Sequence, residues 1–109
     1  MMLNPKSLGE KEAKKADKQL RQFKKKIEKD KKMLSTLEYE CHADGTRFTK
    51  QDCVAYAFLY FVKKRYDSDG VEFDMDTAKW LLDKYCGGSD TYNPLFLLSF
   101  MMACANEGR

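Results

Sequence analysis

The fold turns on Ala13-Lys14-Lys15-Ala16-Asp17-Lys18-Gln19-Leu20-Arg21-Gln22-Phe23-Lys24-Lys25-Lys26-Ile27-Glu28-Lys29-Asp30-Lys31-Lys32-Met33-Leu34-Ser35-Thr36-Leu37. Its seam residues are Ala13, Ala16, Leu20, Phe23, Ile27, Leu34 and Leu37, and Asp30 occupies the one slot left in the series. The steps alternate between 3 and 4, the a/d repeat of a heptad. Neither Gly nor Pro interrupts Glu10 to Tyr39, and Lys, Glu, Gln, Ala and Leu all favour helix. This predicts one long basic helix over residues 10–39, an arm whose seam from Ala13 to Leu37 runs about 37 Å at about 1.5 Å per residue. Ser7 can cap it, with Glu10 as the reciprocal partner three residues on.

The positions flanking the seam say what it does not do. In a parallel homodimer, g and the following e of the other chain would bring Glu12 to Asp17 and Lys26 to Lys31. Both pairs are like-charged, and the first two seam residues are alanines, so a self-standing dimer is disfavoured. The seam, led by Leu20, Phe23, Ile27, Leu34 and Leu37, is expected to mate with a protein partner or with the chain's own domain. Asp30 would need a cation or water opposite it, because a buried unpaired carboxylate is costly.

Charge is divided between the halves. Residues 6–38 hold 12 Lys/Arg against 6 Asp/Glu, and residues 39–109 hold 8 against 11, for net charges of +6 and −3. Nucleic acid is therefore a second expected partner, with Lys18, Arg21, Lys24, Lys25, Lys26, Lys29 and Lys32 as candidate phosphate contacts. Arg21 is the only arginine of that arm, and no aromatic residues interleave with the lysines on the solvated face. Such binding would follow the backbone without sequence preference.

Beyond a linker at 40–48, residues 49–109 read as a compact three-helix domain, so the fold class is all-α. Each of three helix starts has an aromatic, then a cap, then an apolar or thiol residue at the fourth helical position. Phe48-Thr49 leads to Asp52 and Cys53, Phe73-Asp74 to Ala78, and Tyr92-Asn93-Pro94 to Leu97. The predicted helices span about Lys50–Tyr66, Met75–Tyr85 and Pro94–Asn106. Val54–Val62 is rich enough in aromatic and branched residues for a strand, but its cap and the cations Lys63-Lys64-Arg65 at its end favour helix.

Tyr56, Phe58, Tyr60, Phe61, Phe96, Phe100, Met101 and Met102 exceed what three short helices can bury among themselves. Docking Ile27, Leu34 and Leu37 onto them is the simplest resolution. The remainder, with Phe96, Phe100, Met101 and Met102 as candidates, would form a patch for a protein partner or for self-association.

Catalytic and metal chemistry find little support. Asp67-Ser68-Asp69-Gly70 resembles part of a calcium loop, but with Gly70 at its sixth position the first falls on Arg65 and the twelfth on Asp76. Cys41, Cys53, Cys86 and Cys104 form no Cys-x-x-Cys pair, and His42, the only histidine, merely adjoins Cys41. Gly87-Gly88-Ser89 is too short for a phosphate loop and suits a helix C-cap. No metal, cofactor, small-molecule substrate or enzyme activity is expected.

Met1-Met2-Leu3-Asn4-Pro5 has no apolar run, and Pro94–Ala105 is too short to cross a bilayer. A cytoplasmic chain with reduced thiols, residues 1–9 flexible, is the expectation. The functional expectation is a non-catalytic interaction or adaptor module, with a nucleic-acid accessory or a small inhibitor of a larger machine as alternatives.

Overall fold

The computed structural model describes residues 10–38, 40, 42 and 44–107; Ser7, Cys41 and the expected flexible stretch 1–9 lie outside the described residues. Among the described residues five α-helices follow in order: α1 (Glu10–Glu28), α2 (Lys31–Leu37), α3 (Lys50–Ser68), α4 (Met75–Tyr85) and α5 (Phe96–Glu107). A short 3-10 turn, Ser89–Thr91, connects α4 to α5. The fold is all-α. No helix among the described residues is long and apolar enough to cross a membrane.

The arm is two helices, which corrects the single helix expected over 10–39. α1 tightens at its end through Lys29 N–H to Lys26 O at 3.3 Å and Asp30 N–H to Ile27 O at 3.0 Å. Asp30 then caps α2, its side chain accepting the Met33 N–H at 3.1 Å. The physical reason lies in the seam itself. A straight helix would bury the Asp30 carboxylate in the apolar stripe, whereas a break exposes it to water and gives it a backbone donor.

The seam finds its mate inside the chain. Ala16, Leu20, Ile27 and Leu34 are buried, and the last three join one continuous cluster with Phe58, Leu59, Leu81, Leu82 and Phe100. Phe23 meets Phe58 at 6.2 Å between ring centroids and Phe61 edge-on at 5.8 Å. Arm and three-helix unit thus share one core, with α1 and α2 both lying on α3.

The predicted caps form. Thr49 and Asp52 make a reciprocal capping box on α3, and Asp74 accepts the Thr77 N–H at 2.8 Å on α4. α3 runs two residues further than expected, through Ser68. There Gly70, at φ 73°, lets the Val71 N–H return to Tyr66 O at 2.9 Å and the Gly70 N–H to Asp67 O at 3.1 Å. α5 starts two residues later than Pro94: Asn93 instead caps an entry turn, accepting the Leu95 N–H at 2.8 Å.

The described residues of the 40–48 stretch are tied by backbone hydrogen bonds. Phe48 N–H to Glu40 O and His42 N–H to Thr46 O close a small loop at 3.1 and 2.8 Å, with Gly45 at φ 86° in its tip.

Candidate functional site

With the seam buried, the described residues offer a ligand or partner the loop carrying His42, the lysine face of α1, and a groove beside α2.

His42 is 3% exposed and packs at a tilt against Phe48 with 4.7 Å between centroids. Its Nε2 lies 3.3 Å from Asp52 Oδ2, the oxygen that also accepts the Thr49 N–H at 2.8 Å. Asp52 therefore serves the α3 cap and pins the 40–48 loop in one place. The imidazole is enclosed, and its carboxylate neighbour also serves the helix terminus.

The lysine face is solvent-facing. Lys18, Lys25, Lys26, Lys29 and Lys32 are exposed, and none of them makes an ion pair among the described residues. Lys11, Lys14 and Lys15 extend the same face towards the start of α1 and are also exposed. Two of the candidate phosphate contacts have other partners. Arg21 binds Asp17 at 2.9 Å and lies over the Tyr85 ring at 5.3 Å, and Lys24 is 3.3 Å from Glu28. Asp17 also receives the Tyr85 hydroxyl at 2.8 Å and faces Lys84 at 3.6 Å. The Arg21 guanidinium first, then the Tyr85 hydroxyl, holds the Asp17 carboxyl below its usual range.

The groove is about 310 Å³ and lies between α2, α3 and α5. Met33 and Leu37 supply one wall, Tyr56, Tyr60 and Phe61 the floor, and Ala103 the opposite wall. Thr36 and Glu40 are its exposed polar margin. It exists because α3 is apolar almost all round while α1 and α2 cover only part of it. Phe58 turns inward at 0% exposure, and Phe61, three residues on, stays 38% exposed. A second cleft among the described residues mixes Lys24, Glu28 and Lys50 with Val54, Cys86 and Tyr92.

The seam residues expected to bind a partner are otherwise occupied: Leu20, Ile27 and Leu34 are core, and Phe23 packs on α3. Only Leu37, half-buried, reaches the groove. The proposed C-terminal patch needs correction too. Phe96 and Phe100 are 1% and 0% exposed because they pack on Phe48, Tyr56 and Phe73, and Met101 is partly covered. Met102, at 54%, is the one member of that set that stands in solvent.

Sequence reading missed Met33 and Ala103. Met33 sits at a g position beside the a residue Leu34, so an apolar g next to the seam was the available signal. Asp67 and Asp69, once weighed as calcium ligands, face Lys63 at 2.7 Å and Arg65 at 3.8 Å. Comparison with protein-family models, with curated proteins and with solved structures finds no match.

Proposed function

We propose that this chain is a non-catalytic protein-interaction module that engages a protein partner through the groove between α2, α3 and α5. The observation that carries the reading is the exposed aromatic floor: Phe61 and the half-buried Tyr56 and Tyr60 line an open apolar channel on a helix whose other apolar side chains are buried. Exposed apolar surface of this kind, bordered by polar residues, is characteristic of protein contact sites. The contact surface is the groove rather than the seam, because the seam is spent on the chain's own core. Enclosure of His42, the sole histidine, supports a non-catalytic role.

The test is affinity capture with the full chain and with Phe61→Asp and Leu37→Asp variants, each checked by circular dichroism. The proposal expects a protein that is retained by the wild type after nuclease treatment and lost from both folded variants. Equal capture by all three would remove the groove from the account.

A second reading has its own observation. Lys11, Lys15, Lys18 and Lys25 follow one another at helical spacing on the exposed side of α1, with Gln22 in the gap and Lys29 in the turn that follows. That face suits the backbone of a nucleic acid, contacted without sequence preference. It predicts nuclease-sensitive retention and binding that weakens steeply with salt. Action as an inhibitor of a larger machine would use the same groove, and an activity assay on the captured protein separates the two roles.

A further inference from the structure

The groove has a charge pattern as well as an apolar floor. Lys64 places its ammonium 4.9 Å from the centroid of the Tyr60 ring, on the groove's floor. Phe23 meets Phe61 edge-on, and Lys26, exposed, follows Phe23 by three residues on α1. Lys29 and Lys32, both exposed, flank the turn that delivers Met33 to the wall. The lysines border the groove from the flanking elements; the lining itself carries one charged side chain, Glu40, and α5 has no charged side chain from Phe96 to Ala105.

The spacing of the lining is also regular. Met33 and Leu37 on α2 are four residues apart, as are Tyr56 and Tyr60 on α3. Each pair therefore repeats at about 6 Å along its helix axis. Side chains at i and i+4 of a third helix have the same repeat, which is how helix-in-groove recognition is read. A volume of about 310 Å³ with few polar groups is at the small end for a self-contained ligand site. It suits a few apolar side chains entering from outside.

We infer that the groove receives an amphipathic helix of a protein partner, its apolar stripe seated on Tyr60 and Phe61 and its flanks carrying Asp and Glu towards Lys26, Lys29, Lys32 and Lys64. The inference rests on the interaction-module reading and names the class of partner. No helix among the described residues meets that description. α3 and α4 carry two aspartates each; α3 sets Asp52 and Asp67 against Lys50, Lys63, Lys64 and Arg65, and α4 balances Asp76 and Asp83 with Lys79 and Lys84, so a second copy is a poor occupant.

The probe is a fluorescein-labelled helical peptide of about 18 residues with leucine at i and i+4 and glutamate on the flanks, paired with a twin in which every glutamate is lysine. Fluorescence anisotropy with the full-length chain reads both. The glutamate peptide binds at least about tenfold more tightly than its twin at low salt, and the difference shrinks as salt is raised. The double variant Lys26→Glu, Lys64→Glu changes only exposed side chains and reverses the preference. Phe61→Ser weakens binding of the glutamate peptide by about tenfold.

Equal binding of the two peptides overturns the acidic partner and leaves the interaction-module reading standing, since that reading fails only in the capture experiment. Binding of the glutamate peptide that is indifferent to Phe61→Ser overturns the seat. Absence of binding by either peptide overturns the helix class. A concentration-dependent dimer by sedimentation that protects Phe61 assigns the groove to a second copy and overturns the inference as well.

Discussion

The Tyr85 hydroxyl donates a 2.8 Å hydrogen bond to Asp17 Oδ1, tying α4 to α1 across 68 positions of sequence. The same carboxylate takes Arg21 Nε on its other oxygen at 2.9 Å. Asp17 is partly open to solvent, so the bond is worth less than a buried charged one, and Tyr85→Phe is expected to lower stability by about 1–2 kcal/mol near neutral pH. The pH dependence has a definite sign. The folded carboxyl titrates below its ordinary 3.8, so its contribution is complete above that value and fades as pH falls through the lower, folded value. Urea midpoints of wild type and Asp17→Asn should therefore converge in acid. A gap of constant size from neutral pH down to where both proteins unfold contradicts the assignment.

The seam's mate is the chain itself, and this sets how the protein unfolds. Leu20 and Ile27 are each 3% exposed within the cluster that includes Phe58 and Leu81. Truncating either to alanine should cost about 2–4 kcal/mol. Because the core is shared, the arm should not melt ahead of the remainder. Far-ultraviolet ellipticity, dominated by all five helices, and fluorescence of Trp80, the only tryptophan, should report one coincident transition in wild type and both variants. An early loss of ellipticity at constant Trp80 fluorescence would show the arm to be a separate unit.

Asp30 separates two accounts of the arm. Alanine is the better helix former and would extend the heptad through residue 30. If the arm were continuous, Asp30→Ala would be stabilising. Because Asp30 caps α2 by accepting the Met33 N–H, the same change is expected to destabilise by about 1 kcal/mol. Equilibrium denaturation decides by sign alone.

These residues also mark what could be read from sequence. The caps at Thr49 and Asp74 were legible because capping is local chemistry between residues three apart. Asp30 was legible as an anomaly in the seam, but its outcome was not. Whether a chain buries, pairs or turns at such a residue depends on what the following segment can pack against. The groove was legible only in part. Tyr56, Tyr60 and Phe61 stood out as surplus apolar residues, yet Phe58 and Phe61 are chemically identical and three positions apart. Phe23, which touches both rings, lies where α1 covers one and leaves the other, and that is a tertiary fact. His42 looked like a linker residue because its partner, Asp52, already had a role in the cap.

That double role of Asp52 yields a prediction of relative size. Asp74→Ala removes a cap bond from a half-buried side chain and should cost about 1 kcal/mol. Asp52→Ala removes the bond to Thr49 N–H and also strips the buried His42 ring of its Nε2 partner, so its cost should be larger, about 2–3 kcal/mol. Asp52→Ala should also loosen the 40–48 loop, raising amide exchange at His42, whose N–H bonds Thr46 O at 2.8 Å, while that amide stays protected in Asp74→Ala. Equal costs, with unchanged exchange at His42 in both variants, would mean that the loop is held by the Phe48 contact alone.

The cysteines supply a kinetic check on the same core. Cys53 and Cys86 are 2% and 4% exposed, and burial pushes the Cys86 thiol up to about 11. Near pH 8 its thiolate is on the order of a thousandth of the total, and access is blocked in addition. Cys104, on α5, is only partly covered. With iodoacetamide, alkylation at Cys104 should run well ahead of Cys53 and Cys86, followed residue by residue by peptide mass spectrometry. Leu20→Ala loosens the shared core, so it should accelerate Cys53 and Cys86 while leaving Cys104 nearly unchanged. Labelling of Cys86 as fast as Cys104 in the folded wild type would be incompatible with a core in which α1 and α4 are jointly closed.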